Sequence, residues 1–255
     1  EILIATPGRL LDLIDHNAVS ISGITQLVID EADKMFDLGF GEEMNRLISM
    51  MPVAKQTILF SATLNDKVSE MKQRLSVDPV VIEIKREEVE IEDIEQLAYH
   101  VSPEKKGPFL RYLIKEGKIE KALVFVSSTK SADQLVEKLK KNKIKAVAVH
   151  SQKSQGARRN NLEEFKGKGA QVLVATDLIG RGIHIESLPY VINYELPRSP
   201  ADYIHRIGRT GRAGEKGTAI SILTDDELHH FRVIQKKMGK KVTLQRTEDI
   251  DLHGY

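Results

Sequence analysis

Short apolar runs alternate with amphipathic stretches along this 255-residue chain, and this alternation constrains its fold more than any other feature. In the second half, ALVFV and QVLVAT are each followed by a polar turn and then by a stretch such as SADQLVEKLKKN. Strands that are apolar throughout need cover on both faces, which helices between parallel strands provide. The sequence therefore predicts the α/β class. The predicted strands are ILIAT, QLVID and TILFSA, then ALVFV, AVAV, QVLVAT, YVINY and GTAISIL.

The segment IKREEVEIEDIEQ, residues 84–96, separates the two groups of predicted strands. It is dense in charge and has no glycine or proline, and we interpret it as a strand end followed by an interdomain linker. Only three strands are predicted before it, which is few for a complete doubly wound sheet. We therefore expect part of a first domain over 1–85, a linker over 86–95, a complete second domain over 96–245 and a tail over 246–255.

Charge is distributed unevenly between these halves. Residues 1–93 carry 9 Lys or Arg and 18 Asp or Glu, whereas residues 94–255 carry 29 and 19. A basic domain is a candidate for binding polyanions, although solvated lysine-rich helices give the same balance. The chain has no cysteine, which excludes disulfides and thiolate metal sites and suits a cytoplasmic location. No apolar run reaches membrane-spanning length, so we expect no membrane partner.

Two adjacent acids end a predicted strand in LVIDEADKMFD. Ligands of open α/β sheets collect at the carboxyl ends of strands, where Asp30 and Glu31 lie. One carboxylate there can hold hydrated Mg²⁺ while its neighbour activates a water. The alternative is that Asp30 or Asp33 caps the following helix.

Two further front-half turns carry groups suited to phosphate. IATPGR places Thr6, a Pro-Gly turn and Arg9 after a predicted strand, and TILFSATLND places Ser61 and Thr63 after another. Hydroxyl, guanidinium and backbone N–H groups can grip a phosphate backbone or a neighbouring loop. The same residue types also form ordinary turns.

Arginine and glycine follow the strands of the back half. VLVATDLIGRGIHI places Thr176, Gly180 and Arg181 where glycine permits close approach of a phosphate and arginine supplies a forked donor. HSQKSQGARR brings Gln155, Arg158 and Arg159 to the start of an amphipathic helix, whose N–H groups favour anions. Acids in one half and arginine-bearing turns in the other predict a cleft that closes around a charged ligand. A third such turn, YIHRIGRTGRAGEKG, interleaves three glycines with Arg206, Arg209 and Arg212.

Together these motifs resemble those of DEAD-box RNA helicases of superfamily 2, most of all the bacterial RhlE/SrmB type. The resemblance rests on DEAD at 30–33, SAT at 61–63 and HRIGRTGR at 205–212, with TPGR, LVFVSSTK, QGAR and ATDLIGRG in between and around them. It implies two RecA-like domains, the first only partly present, that bind ATP between them and RNA across both. The implied function is an ATP-dependent RNA helicase that remodels or locally unwinds RNA.

The resemblance also implies roles for the motif residues. Asp30 would position Mg²⁺ through water and Glu31 would activate the attacking water. The halves would be coupled by Asp33, Ser61, Thr63 and His205. The nucleotide would be met by Gly182, His184, Arg209 and Arg212, the last two as arginine fingers on the γ-phosphate. The RNA backbone would be met by Thr6, Gly8, Arg9, Gln155, Arg158, Thr176 and Arg181. Arg206 is out of step with the two fingers, and we expect it to form an ion pair within its own domain.

The chain departs from the family pattern in three places. His184 stands where the family has an Asp that contacts the ribose of ATP, and Ser151 stands where a Gly follows His150. The phosphate-binding loop GxxxxGK[ST] and the glutamine motif that reads adenine do not occur in residues 1–255. We therefore expect a fragment of a helicase that is inactive as an ATPase by itself. Two alternatives stay open, namely a nucleotide-independent RNA-binding module and a DNA helicase of the same superfamily.

Overall fold

A computed structural model describes residues 2–61, 63–75, 78–83, 94–177, 188–211 and 216–255. The chain divides into two compact units, Glu1–Ile84 and Lys85–Tyr255. Each unit has its own core of buried apolar side chains. None of the helices in the described ranges is long and apolar enough to cross a bilayer.

The first unit pairs β1 (Gln26–Ile29) in parallel with β2 (Gln56–Leu59). Ile29 faces a core shared with helical residues such as Leu47, while the paired residues Val28 and Ile58 stay largely exposed on the other face. The two strands therefore bury one face only. The helices of this unit are α1 (Pro7–Asp15), α2 (Ala32–Asp37), α3 (Gly41–Ser49) and α4 (Asp66–Leu75).

The predicted strand at ILIAT is wrong. Residues 2–6 lie outside any strand, and Ile2 and Ile4 are 93% and 91% exposed. A strand needs a hydrogen-bonded neighbour, and among the described residues β1 and β2 pair only with each other. The apolar composition of this run therefore does not make it a strand.

The second unit is built on one parallel sheet. Its strands are β3 (Ile94–His100), β4 (Ala122–Phe125), β5 (Ala146–Val149), β6 (Val172–Ala175), β7 (Tyr190–Asn193), β8 (Gly217–Leu223) and β9 (Leu244–Arg246). Within the described residues their order is β5-β6-β4-β7-β8-β3-β9. Phe125 lies opposite Ala175 on one side and Asn193 on the other, so the carboxyl ends of these central strands meet at one edge. The predicted α/β class with a parallel sheet is confirmed.

Helices cover both faces of this sheet, namely α5 (Lys106–Glu116), α6 (Thr129–Lys141), α7 (Gln155–Lys166), α8 (Pro200–Ile207) and α9 (Leu228–Met238). Ala122 and Val124 of β4 share a core with α5 and α6, while Leu123 and Phe125 share another with α7. Alternate residues of β4 thus point to opposite layers, which is why all four are buried.

The ends of the second unit differ from expectation. β3 begins at Ile94, inside the segment expected to be linker, and lies between β8 and β9. The expected tail packs on this unit: Ile250 and Leu252 contact its core, and the Tyr255 ring lies 5.4 Å from that of Tyr112. Most of the expected linker, namely residues 86–93, lies outside the described residues.

Candidate functional site

Residues 30–33 join β1 to α2: Asp30 and Glu31 form a tight turn, and Ala32 and Asp33 begin the helix. Glu31 has φ 52° and ψ 45°, a left-handed conformation that is uncommon for a residue with a side chain. Its amide donates to Asp30 Oδ1 at 2.9 Å, and the next amide, of Ala32, donates to the Phe60 carbonyl at 3.0 Å. Asp30 and Glu31 are both exposed. The backbone therefore fixes two carboxylates side by side at the carboxyl end of a strand.

Asp33 points inward from the same turn. It is 7% exposed, its Oδ2 accepts from the Thr63 hydroxyl at 2.9 Å, and its Oδ1 accepts from the Lys34 amide at 3.1 Å. The Ser61 hydroxyl donates to the Thr63 carbonyl at 2.7 Å. The loop after β2 is thereby tied to the turn after β1. The helix-cap alternative holds in part: Glu31 is the N-cap residue and its side chain makes no capping hydrogen bond, but Asp33 accepts from an amide in the first turn of α2.

The start of α1 presents three of the predicted phosphate-facing residues. Thr6 is the N-cap residue in extended conformation, and its hydroxyl makes no capping bond. Gly8 faces open space, and Arg9 is 64% exposed and paired with Asp12. An exposed hydroxyl, a guanidinium and the free N–H groups of the first turn therefore lie together, an arrangement that favours anions.

The acidic turn fits a metal held through water. Among the described residues, no group of three or more His, Asp or Glu side chains is placed to hold a metal ion directly. Mg²⁺ commonly keeps several of its waters and uses one or two carboxylates. The exposed carboxylate of Asp30 fits this second mode of binding.

In the second unit, Thr176 and the start of α7 lie at the same sheet edge, because β5 and β6 are neighbours in parallel. The Ser154 hydroxyl caps α7 by accepting from the Ala157 amide at 3.2 Å, and Gln155 is the first helical residue. Arg158 is half-buried, and its buried Nε finds no acceptor among the residues that the structure describes. A buried donor of this kind is suited to an incoming acceptor.

A cluster that the sequence did not predict holds the loop before α7. His150 Nε2 lies 3.1 Å from Asp133 Oδ1, and Lys153 Nζ lies 2.8 Å from the same oxygen. Thr129 donates to the Gln152 side-chain carbonyl at 3.1 Å. Burial raises the pKa of the Asp133 carboxyl, but the bonds from Lys153 and His150 outweigh it and hold that pKa below its usual value. The first turns of α6 therefore position this loop.

Arg206 links α8 to the carboxyl edge of the sheet. It is 2% exposed, and its Nε and Nη2 donate to the two oxygens of Asp177 at 2.5 and 2.8 Å. Its Nη1 donates to Asn193 Oδ1 at 3.1 Å and to the Glu195 carbonyl at 2.6 Å. The guanidinium lies over the Phe125 ring, 4.8 Å from its centre. The expected ion pair within the second unit is confirmed.

The arginine turn after α8 lies at the opposite edge of the sheet. The Leu188 amide donates to the Arg209 carbonyl at 3.2 Å, and the Thr210 hydroxyl donates to the Leu188 carbonyl just before β7 begins. Gly211 has φ 64°, and a Cβ there would lie 2.8 Å from Ile94, the first residue of β3. The second unit thus carries the arginine turn at its amino edge and the loops after β5 and β6 at its carboxyl edge.

The structure brings together some predicted residues and leaves others undescribed. The acidic turn meets Ser61 and Thr63 in the first unit, and His205 and Arg209 are half-buried at the end of α8 and just beyond it. Five predicted residues lie outside the described residues, namely Gly180, Arg181, Gly182, His184 and Arg212.

The sequence also passed over Glu195, whose carboxylate accepts from the Ser127 amide at 2.6 Å. Glu195 follows the buried strand β7 closely, as Asp30 follows β1. The signal that identified Asp30 therefore applies to Glu195 as well.

Both units match known families. Residues 1–71 match the DEAD/DEAH box helicase family, and residues 105–214 match the helicase conserved C-terminal domain. The ATP-dependent RNA helicase RhlB of Pseudomonas syringae pv. tomato is 37% identical over 96% of this chain and 62% of RhlB. The DEAD-box ATP-dependent RNA helicase CshA of Geobacillus kaustophilus is 33% identical over 98% of this chain and 54% of CshA. The chain therefore spans less than two thirds of these bacterial relatives.

Solved structures agree. Dbp5 of S. cerevisiae bound to RNA and ADP BeF3 matches with a TM-score of 0.81 and 33% identity, over 98% of this chain and 66% of that chain. A DEAD box protein from Methanococcus jannaschii matches with a TM-score of 0.58 and 34% identity, over 96% of this chain and 66% of that chain. These matches confirm the RecA-like fold. From its acidic turn, its arginine turn and these relatives, we conclude that the chain belongs to the DEAD/DEAH box helicase family.

Proposed function

We propose that the protein carrying this chain is an ATP-dependent RNA helicase, in which ATP-driven closure of two RecA-like domains remodels or locally unwinds RNA. The observation that carries the proposal is the turn over residues 30–33, with two exposed acids and a hydrogen bond between Thr63 and the buried Asp33. RhlB and CshA are named for this activity, and the Dbp5 structure holds RNA and ADP BeF3. The lack of cysteine suits the reducing cytoplasm, which we propose as its location.

ATP with Mg²⁺ supplies the phosphoanhydride bond whose hydrolysis drives the cycle. Asp30 would hold the hydrated metal through its carboxylate, and Glu31 would orient the attacking water and take its proton. The left-handed backbone at Glu31 supports these roles, because it holds the two carboxylates in place before any ligand arrives. Arg209 and Arg212 stabilise the charge that develops on the γ-phosphate. We assign Gly182 and His184 to nucleotide binding, as the family resemblance implies.

The Asp33–Thr63 contact supports a coupling role for the loop after β2. Because Asp33 is fixed by the acidic turn, any shift of that turn moves the loop that carries Ser61 and Thr63. His205, at the end of α8, has the same coupling role on the second unit. These residues pass the state of the nucleotide to the RNA-binding loops.

RNA is held by its backbone on both units. The helix N-termini of α1 and α7 support this role, as does the unpaired Nε of Arg158. Contacts to phosphate and sugar carry no base information, so the protein has low sequence specificity. The residues proposed for this surface are Thr6, Gly8, Arg9, Gln155, Arg158, Thr176 and Arg181.

A competition experiment tests the proposal against a DNA helicase and an RNA-binding module. Single-stranded RNA is expected to stimulate ATP turnover, and DNA of the same sequence is expected to stimulate it far less. Equal stimulation by DNA would favour the DNA helicase. An RNA affinity that is the same with and without ATP, in the absence of any ATP turnover, would favour the RNA-binding module.

The RNA surface has its own test in two neighbouring arginines. Arg158→Ala should weaken RNA binding to a similar degree for all base compositions and lower the salt slope by about 0.7 for one lost phosphate contact. Arg159→Ala is the matched control, because Arg159 is 80% exposed and paired with Glu163. Equal losses for both variants would remove Arg158 from the surface, and a relaxed base preference would give it a base-reading role instead.

A further inference from the structure

The segment 228–246 contains six Lys or Arg and no Asp or Glu. It covers α9, the loop after it and β9. The whole chain has almost equal numbers of acidic and basic residues, with 37 and 38. This segment is therefore a local concentration of positive charge within an electrically balanced chain.

The cations of this segment surround an open hollow of about 370 Å³. It is lined by Arg232, Gln235, Lys236, Gly239, Lys240 and Lys241. In the described part of the chain, no carboxylate lies within ion-pair distance of Arg232, Lys236 or Lys241, all of which are exposed. These three positive charges of the hollow therefore have no carboxylate partner among the described residues.

The loop that closes this basic hollow is held in a defined shape. Gln235 accepts from the Val242 amide at 2.7 Å, and Val242 is buried in the core under α9. Lys240 Nζ lies 3.3 Å from the Ile94 carbonyl, and Gly239 ends the helix with φ 72°. This framework fixes the backbone positions from which the cations project, so the charges are held close together before binding.

Compensation of the helix dipole does not explain the arrangement. Cations near a helix C-terminus are favourable, but the effect falls off within the last turn. Arg232 lies before the last turn of α9, and Lys241 lies beyond the end of the helix. Arg232 and Lys236 are also four residues apart, where like charges repel by about 0.2–0.5 kcal/mol. An external anion would relieve this repulsion.

We propose that the basic hollow is a second RNA contact that binds backbone phosphates of a strand extending beyond the loops after β5 and β6. This inference rests on the proposed function. Its lining has no aromatic or large apolar side chain, which a protein interface needs as an anchor. Phosphate grips need only cations and polar donors, which the hollow has.

The location of the hollow determines which RNAs can reach it. Lys240 contacts the first residue of β3, so the hollow lies at the amino edge of the sheet. Thr176 lies at the carboxyl edge, and the seven-residue β3 separates the two edges by roughly 20 Å. A short RNA that fills the first surface does not reach the hollow, whereas a longer strand does.

The test compares RNA binding by the full 255-residue chain with that of the double variant Arg232→Gln/Lys236→Gln. With single-stranded RNA of about 25 nucleotides, the slope of log K against log[salt] should fall by about 1.4, or about 0.7 per lost contact. With RNA of about 6 nucleotides, the slope should not change. Lys236→Gln/Lys241→Gln is a second variant with the same expected result.

The matched control removes two positive charges from the other face of the sheet, with Lys138→Gln/Lys141→Gln at the end of α6. An equal loss in this control, or an unchanged slope in both hollow variants, would overturn the second contact. So would hollow-dependent binding of polyglutamate without hollow-dependent binding of RNA, which would assign the surface to an acidic protein. Failure of the wild-type chain to bind RNA of either length would instead contradict the proposed function.

Discussion

The guanidinium of Arg206 donates hydrogen bonds to Asp177, Asn193 and the Glu195 carbonyl, and the residue is 2% exposed. Lysine keeps the charge but lacks the planar fork, so Arg206→Lys leaves a buried acceptor unpaired. We expect this variant to lower the free energy of unfolding by about 2 kcal/mol in chemical denaturation. Arg159→Lys, at an exposed pair, is the control and should cost at most about 0.5 kcal/mol. Equal losses would contradict the role of the buried network.

The Asp133 carboxylate, which holds the loop before α7, makes the stability of the fold depend on pH. Burial raises the pKa of its carboxyl, but the bonds from Lys153 and His150 bring that pKa below its ordinary value. A lowered native pKa stabilises the fold above the unfolded-state pKa of about 3.9, and this contribution is lost as pH falls through the native value.

Asp133→Asn should therefore lower the free energy of unfolding at pH 7, and its effect should shrink as pH falls below about 4. Denaturation curves at several pH values measure this difference. Asp249→Asn, at an exposed position, serves as the surface control. A loss at pH 7 that stays constant down to pH 3 would show that the carboxylate charge is not involved.

At the scale of elements, the arginine turn is packed against the start of β8. A Cβ on Gly217 would overlap the Thr210 hydroxyl and would also clash with the Gly211 amide nitrogen. Gly217→Ala should lower the free energy of unfolding by at least about 2 kcal/mol, because the turn must shift to make room. Gly23→Ala is the control, since a Cβ there meets open space. Similar thermal melts for the two variants would contradict this close packing.

The sequence correctly predicted the strands that are buried at every position, because a continuous apolar run of this length indicates a strand covered on both faces. ALVFV, AVAV and QVLVAT became the fully buried strands β4, β5 and β6. β3 was missed because Glu95 and Gln96 interrupt its apolar pattern, and pairing with β8 and β9 decides its structure. ILIAT has a suitable composition but no neighbouring strand among the described residues, so it stays outside the sheet.

In the candidate site, too, some residues could be predicted from the sequence, whereas other contacts depend on how distant elements pack together. Asp30 and Glu31 were predictable because they follow an apolar strand, and strand ends collect ligands in this fold class. The contact between Asp133 and His150 was not, because it joins residues 17 positions apart that meet only when α6 packs beside β5. The Asp33–Thr63 hydrogen bond likewise depends on β1 pairing with β2.

At the scale of the whole molecule, the first unit carries the acidic turn, and the second carries the arginine turn on a separate sheet edge from the loops proposed to bind RNA. The most direct measurement is RNA-stimulated ATP turnover by the protein that carries this chain, compared between wild type and Glu31→Gln. Glu42→Gln, on the exposed start of α3, is the control. We predict RNA-dependent turnover that Glu31→Gln reduces by at least about 100-fold while RNA binding is kept. An ATP turnover rate that does not rise when RNA is added, or that Glu31→Gln leaves unchanged, would contradict the proposal of an ATP-driven RNA helicase.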